Sequence, residues 1–139
     1  MGTVSLQDLF KTYHDRVQFL MIYIREAHPV DGWYLGRGLP GLFFKLTRTK
    51  AAMDVYDPQT MEDRRKVAGR CESALAYGVR TYVDEMDDVV NEAYAAWPTR
   101  LYLIGVDGKV AYAGGLGPFG FKPSELHRAI EGYLTQRAA

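Results

Sequence analysis

Cysteine is nearly absent from this chain. The only one is Cys71, so no internal disulfide can form, and the usage fits a reducing cytoplasm. Net charge is absent as well: 17 basic side chains balance 17 acidic ones. No overall field therefore draws the chain to nucleic acid or to an anionic membrane. Long apolar runs are missing; the longest, Phe19 to Ile24, falls far short of a bilayer span. Met1-Gly2-Thr3 leads directly into a helical pattern, leaving no stretch that reads as a signal peptide. There is no metal-ligand spacing, no phosphate-cradling glycine loop and no Ser-His-Asp order, so neither a metal nor a cofactor is expected. These exclusions leave a cytoplasmic chain of 139 residues, read as one domain with a proper core.

What is present alternates between element types. Ser5 has the character of an N-cap with Asp8 three residues on, and Leu6, Leu9, Phe10 and Tyr13 form an apolar stripe, which predicts a helix over Ser5–Asp15. Val17–Ile24 is apolar on both faces, the pattern of a strand covered by helices on each side. Residues 31–60 read as an irregular insertion. Met61–Tyr77 reads as a helix stopped by Gly78, with Val67, Cys71, Ala74 and Leu75 on one face. A strand over Thr81–Asp84 and a short helix over Asp87–Ala96 follow. Leu101–Ile104 and Lys109–Tyr112 then flank a Val106-Asp107-Gly108 hairpin signal. Pro123 opens a last helix, Ser124–Gln136. The order predicts an α/β fold with a mixed sheet flanked by helices.

Chemistry concentrates after the first strand. Within a few residues of its end stand Tyr23, Glu26, His28, Asp31 and Trp33. Histidine exchanges a proton near neutral pH, a glutamate can fix its tautomer, and a tyrosine can relay the proton. Asp31 can cap a turn and Trp33 can pack beneath one, pinning the loop. His14 and His127 fall on helix surfaces and read as solvated, while Cys71, mid-helix on the apolar stripe, reads as a buried structural thiol. Pro98 either ends the preceding helix or, if its peptide bond is cis, shapes a turn facing substrate. Trp33–Met53 interleaves aromatics with Arg37, Lys45, Arg48 and Lys50. Those charges could line a pocket mouth, meet a partner or membrane surface, or simply face water above a packed loop.

Val17 through Trp33, with its Glu26-Ala27-His28-Pro29-Val30-Asp31-Gly32-Trp33 string, resembles the iodothyronine deiodinase family and its bacterial deiodinase-like relatives. So do Val83-Asp84-Glu85-Met86, Pro98-Thr99-Arg100-Leu101-Tyr102-Leu103-Ile104 and Tyr112-Ala113-Gly114-Gly115-Leu116-Gly117-Pro118, in family order. The resemblance implies a thioredoxin-like fold and reductive removal of iodine by a selenocysteine or cysteine. It places Tyr23, Glu26 and His28 around the reactive atom in supporting catalytic roles. Pro98, Thr99 and Trp33 fall on the substrate-binding side. A small-molecule substrate or thiol reductant is the implied partner.

Departures from the family pattern are equally specific. The reactive residue would follow a central strand upstream of the first helix, and only Met1–Val4 precede that helix here. The chain is therefore expected to lack that strand and its nucleophile and to be inactive by itself. Either the two flanking strands pair directly, or a partner chain buries their edges, with a homodimer expected, or the chain is incomplete. A start placed just after a UGA selenocysteine codon would account for such a chain. Pro58 stands at a family histidine, Thr99 at a glutamate, and Leu116 at the arginine that can clamp a substrate carboxylate. The resemblance thus implies a site not tuned to thyroid hormone. A binding or oligomerisation module that has lost its chemistry remains the alternative reading.

Overall fold

The computed structural model describes residues 4–26, 56–75 and 78–138. They divide between two compact units, one formed by residues 1–19 with 95–139 and the other by residues 20–94. The architecture is mixed α/β: small ladders with helices packed on them.

In the first unit, α1 (Leu6–Tyr13) begins where the local chemistry requires. The Ser5 hydroxyl accepts from the Asp8 amide at 3.1 Å, and the Ser5 amide donates to the Asp8 carboxylate at 3.0 Å. This reciprocal box satisfies two amides that no earlier turn can reach. β3 (Tyr102–Ile104) pairs antiparallel with β4 (Val110–Ala113), matching Leu103 to Tyr112. Gly108 turns the hairpin at φ 78°, the left-handed region that a side chain resists. α4 (Pro123–Ala138) carries Leu126 and Ile130 against Leu9, Tyr13 and Leu103 to make the core.

His127 does not sit in water as its helix position implied. Its Nε2 lies 3.0 Å from the hydroxyl of buried Tyr13, a partner 114 positions away in sequence, and 3.6 Å from Glu131. Burial, and then the Glu131 charge, raise the Tyr13 hydroxyl above its ordinary range.

The second unit holds β1 (Met21–Tyr23) parallel to β2 (Thr81–Val83), in register Met21 to Thr81 and Tyr23 to Val83. α2 (Met61–Leu75) packs on β2, and α3 (Val89–Tyr94) follows it. β1 is much shorter than the predicted Val17–Ile24. The reason is that Arg16 and Val17 donate to the Tyr13 carbonyl in a turn continuing α1, and Val17 and Phe19 pack on the core of the first unit. The strand is not covered on both faces either, since Ile22 is 41% exposed and its register partner Tyr82 46%.

The Gly114-Gly115 and Gly117-Pro118 segment folds back on itself at very short range. A Cβ on Gly120 would lie 2.5 Å from the Leu116 carbonyl oxygen and 2.6 Å from the Gly115 Cα. Both obstacles are backbone and cannot swing aside. Gly120→Ala is expected to cost roughly 1–3 kcal/mol, visible as a lowered midpoint in urea unfolding.

Candidate functional site

β1 ends at Tyr23, and the Asp84 amide donates to the Tyr23 carbonyl at 2.8 Å, fixing the strand end beside the β2–α3 turn. The chain then turns so that the Tyr23 hydroxyl donates to the Glu26 carboxylate at 2.8 Å. Both residues are half-buried. The Tyr23 hydroxyl is pushed far above its ordinary value of 10.0, by burial first and then by the hydrogen bond to Glu26 and its charge. Tyr23 is therefore a neutral hydrogen-bond donor at every physiological pH, and Glu26 its acceptor.

Beneath this pair lies a buried ionic network that sequence reasoning missed. Arg64, 4% exposed, donates through Nη1 to the carbonyls of Asp84 at 3.4 Å and Glu85 at 2.5 Å, and to the Asp88 carboxylate at 2.8 Å. Asp84, 2% exposed, accepts from the amides of Glu85, Val90 and Asn91 at 2.8–3.0 Å, closing the turn into α3. Asp84, read from the sequence as the end of a strand, is thus the residue that anchors this helix. The signal for Arg64 was its spacing: 64, 67, 68 and 71 form one inward stripe of α2, with Val67 and Ala68 buried.

Cys71 is half-buried on that stripe, and burial, followed by the Glu26 charge, raises its thiol above 9.0. A thiol held in that state is a poor nucleophile at neutral pH. Iodoacetamide at pH 7 is expected to alkylate Cys71 at least ~10-fold more slowly in the folded chain than in urea, read by mass spectrometry.

Pro98 and Thr99 belong to the other unit. The Trp97–Pro98 bond is cis, and Pro98 and Thr99 are partly buried. The Gly117 amide donates to the Thr99 carbonyl at 2.9 Å, and Gly114 to that of Leu101 at 2.8 Å, so residues 99–101 run against the glycine segment. Arg100 Nε donates to the Gly114 carbonyl at 2.6 Å. Leu116 is 51% exposed. His28, Asp31, Trp33 and most of the 31–60 insertion, with its basic and aromatic residues, lie outside the described residues. Of the predicted site residues, Tyr23 and Glu26 are brought together.

The geometry defines a mixed α/β chain with an acid–tyrosine pair at a strand end. Comparison with known proteins makes the class specific. Residues 3–134 match the family model described as iodothyronine deiodinase. The chain is 38% identical over 122 residues to thyroxine 5-deiodinase of Aquarana catesbeiana, covering 88% of this chain and 40% of that protein. It is 35% identical over 129 residues to the Sparus aurata protein of the same name, covering 93% and 43%, and 35% identical over 132 residues to that of Homo sapiens, covering 95% and 38%. The chain belongs to the iodothyronine deiodinase family. It spans about two fifths of the length of these curated relatives. No helix among the described residues is long and apolar enough to cross a membrane.

Proposed function

We propose that this chain forms the supporting part of a thioredoxin-type reductive dehalogenase, whose selenol or thiol nucleophile comes from a residue outside positions 1–139. Membership of the deiodinase family supports the reaction class. The observation that carries the reading is the 2.8 Å hydrogen bond from Tyr23 to Glu26. In reductive dehalogenation the nucleophile takes the halogen and the vacated carbon takes a proton; one thiol then displaces halide to leave a mixed sulfide on the nucleophile, and a second thiol frees the nucleophile with release of a disulfide. Tyr23, held protonated, and Glu26, its acceptor, are suited to deliver or hold that proton, with His28 as the exchanging group. Cys71 does not fit the nucleophile's role, because its thiol is raised rather than lowered.

Pro98, Thr99 and Trp33 would then face a halogenated small molecule. Leu116 in place of an arginine, and Pro58 in place of a histidine, favour a substrate other than thyroid hormone. The chain is proposed to work as a cytoplasmic homodimer. A binding module without chemistry is the second reading, favoured by one fact: the sole cysteine within positions 1–139 is Cys71, whose thiol burial pushes up.

The coding DNA upstream of Met1 separates the two. An in-frame UGA or cysteine codon preceded by family-like sequence supports the enzyme. A different stop with nothing family-like beyond it supports the module. Light-scattering mass tests the dimer, with a folded monomer at all concentrations contradicting it.

A further inference from the structure

Arg100 joins the backbone segments around Pro98 and Thr99 in the first unit. Its Nε donates to the Gly114 carbonyl at 2.6 Å, the short distance of a charge-assisted bond. Its Nη1 reaches the Ala95 carbonyl at 3.4 Å. The guanidinium also rests on the Tyr102 ring, 5.2 Å from the centroid. One planar cation thus ties together the start of residues 95–100, strand β3 and the glycine segment.

Those contacts enclose Pro98 and Thr99. The Ala95 contact closes residues 95–100 into a loop that carries both. It holds the carbonyl of a residue at φ 44°, a left-handed conformation that a side chain disfavours. The Gly114 contact works beside two backbone bonds: the Gly114 amide to the Leu101 carbonyl at 2.8 Å, and the Gly117 amide to the Thr99 carbonyl at 2.9 Å. Gly114 is therefore held through its amide and its carbonyl alike. A Cβ on Gly117 would run into the Thr99 methyl group, so Thr99 and the glycine segment touch and shift together. A guanidinium spent on main-chain carbonyls sets where backbone lies and is no reacting group. Lysine cannot copy it, because an ammonium is a point donor without the planar fork.

We propose that Arg100 is a positioning residue for substrate. It fixes the Pro98–Thr99 turn against residues 114–117, so that the turn meets the halogenated molecule already formed. Arg100 acts through that turn and touches neither substrate nor nucleophile. The proposal rests on the dehalogenation reading, in which Pro98 and Thr99 face substrate.

The test uses the chain extended by its upstream segment, with cysteine at the nucleophile position, and follows thiol-dependent iodide release from an iodinated phenol. Arg100→Ala is expected to raise KM about tenfold while kcat falls by less than about threefold. A role confined to stability would instead reduce the amount of folded enzyme, lowering kcat and leaving KM alone. Arg100→Lys should raise KM about threefold, and it carries the same readouts should Arg100→Ala fail to fold. Hydrogen exchange on the 139-residue chain gives a readout that needs no activity. In Arg100→Ala the amides of Gly114 and Gly117 should exchange at least ~10-fold faster, while those of Leu126 and Ile130 keep their rates. An unchanged KM, or unchanged exchange at Gly114 and Gly117, would overturn the proposal and leave the dehalogenation reading standing. No iodide release by the extended protein with Arg100 intact would sink that reading, and the proposal with it.

Discussion

Arg64→Ala is expected to lower the stability of the second unit by roughly 3–5 kcal/mol, the cost of leaving one half of a buried charge pair alone. The mutation removes the guanidinium that pairs with the Asp88 carboxylate, whose side chain is 17% exposed, takes a donor from the Asp84 carbonyl, and leaves the Glu85 carbonyl with the Asp88 amide. Those groups form the turn that Asp84 caps, and Asp84 in turn holds the end of β1 through the Tyr23 carbonyl. The damage should therefore reach the Tyr23–Glu26 pair without touching it. Hydrogen exchange should show the amides of Asp84, Val90 and Asn91 losing protection before those of α1 and α4. Arg64→Lys restores the charge but not the fork, and should recover only part of the loss. Uniform exchange throughout the chain, or a loss below about 1 kcal/mol, would mean that the network is not what holds the turn.

Tyr23→Phe should have the largest effect on chemistry. In a form of the protein that carries the nucleophile, removing a positioned proton donor is expected to lower the rate about 10²-fold, the lower end for general acid–base catalysis. The fold should barely change, because phenylalanine fills the same space and only one hydrogen bond, worth about 1 kcal/mol, is lost.

The pH dependence gives a second readout. Burial raises the folded-state value of Tyr23 above its unfolded value of 10.0, so the folded chain holds this proton more tightly. That contribution to stability is complete below about pH 10 and is lost as pH rises toward the folded value. Tyr23→Phe should therefore flatten the alkaline fall in stability, leaving the shares due to Tyr13 and Tyr112, whose hydroxyls are also raised. An unchanged alkaline limb would contradict the burial of this hydroxyl.

Local chemistry made much of the fold legible. The Ser5–Asp8 box, the Asp107-Gly108 hairpin and the Pro123 helix start are all decided by groups within a few residues of one another. Val17–Phe19 misled because apolar character says that a residue is buried, not against what. Those side chains go to the α1 core instead of a strand. His127 and Tyr13 meet across 114 positions, a distance that no periodicity reports. Arg64 was hidden by the ordinary rule that a charged side chain faces water; only its place on the Val67–Cys71 stripe marked it as inward. The site divides in the same way. Tyr23 and Glu26, three residues apart at a strand end, were legible as a pair, whereas the turn that anchors them depends on a helix some forty residues further along the chain.

The central claim is that this chain supports the chemistry of an external selenol or thiol through Tyr23 and Glu26. The measurement that tests it most directly is iodide release from iodinated phenols, with dithiothreitol as reductant. It compares the chain extended by its upstream segment with a cysteine at the nucleophile position against the same protein carrying serine there. The account predicts thiol-dependent release with cysteine, none with serine, and a loss of about 10²-fold on adding Tyr23→Phe. Equal release by the cysteine and serine forms, or indifference to Tyr23→Phe, would contradict it.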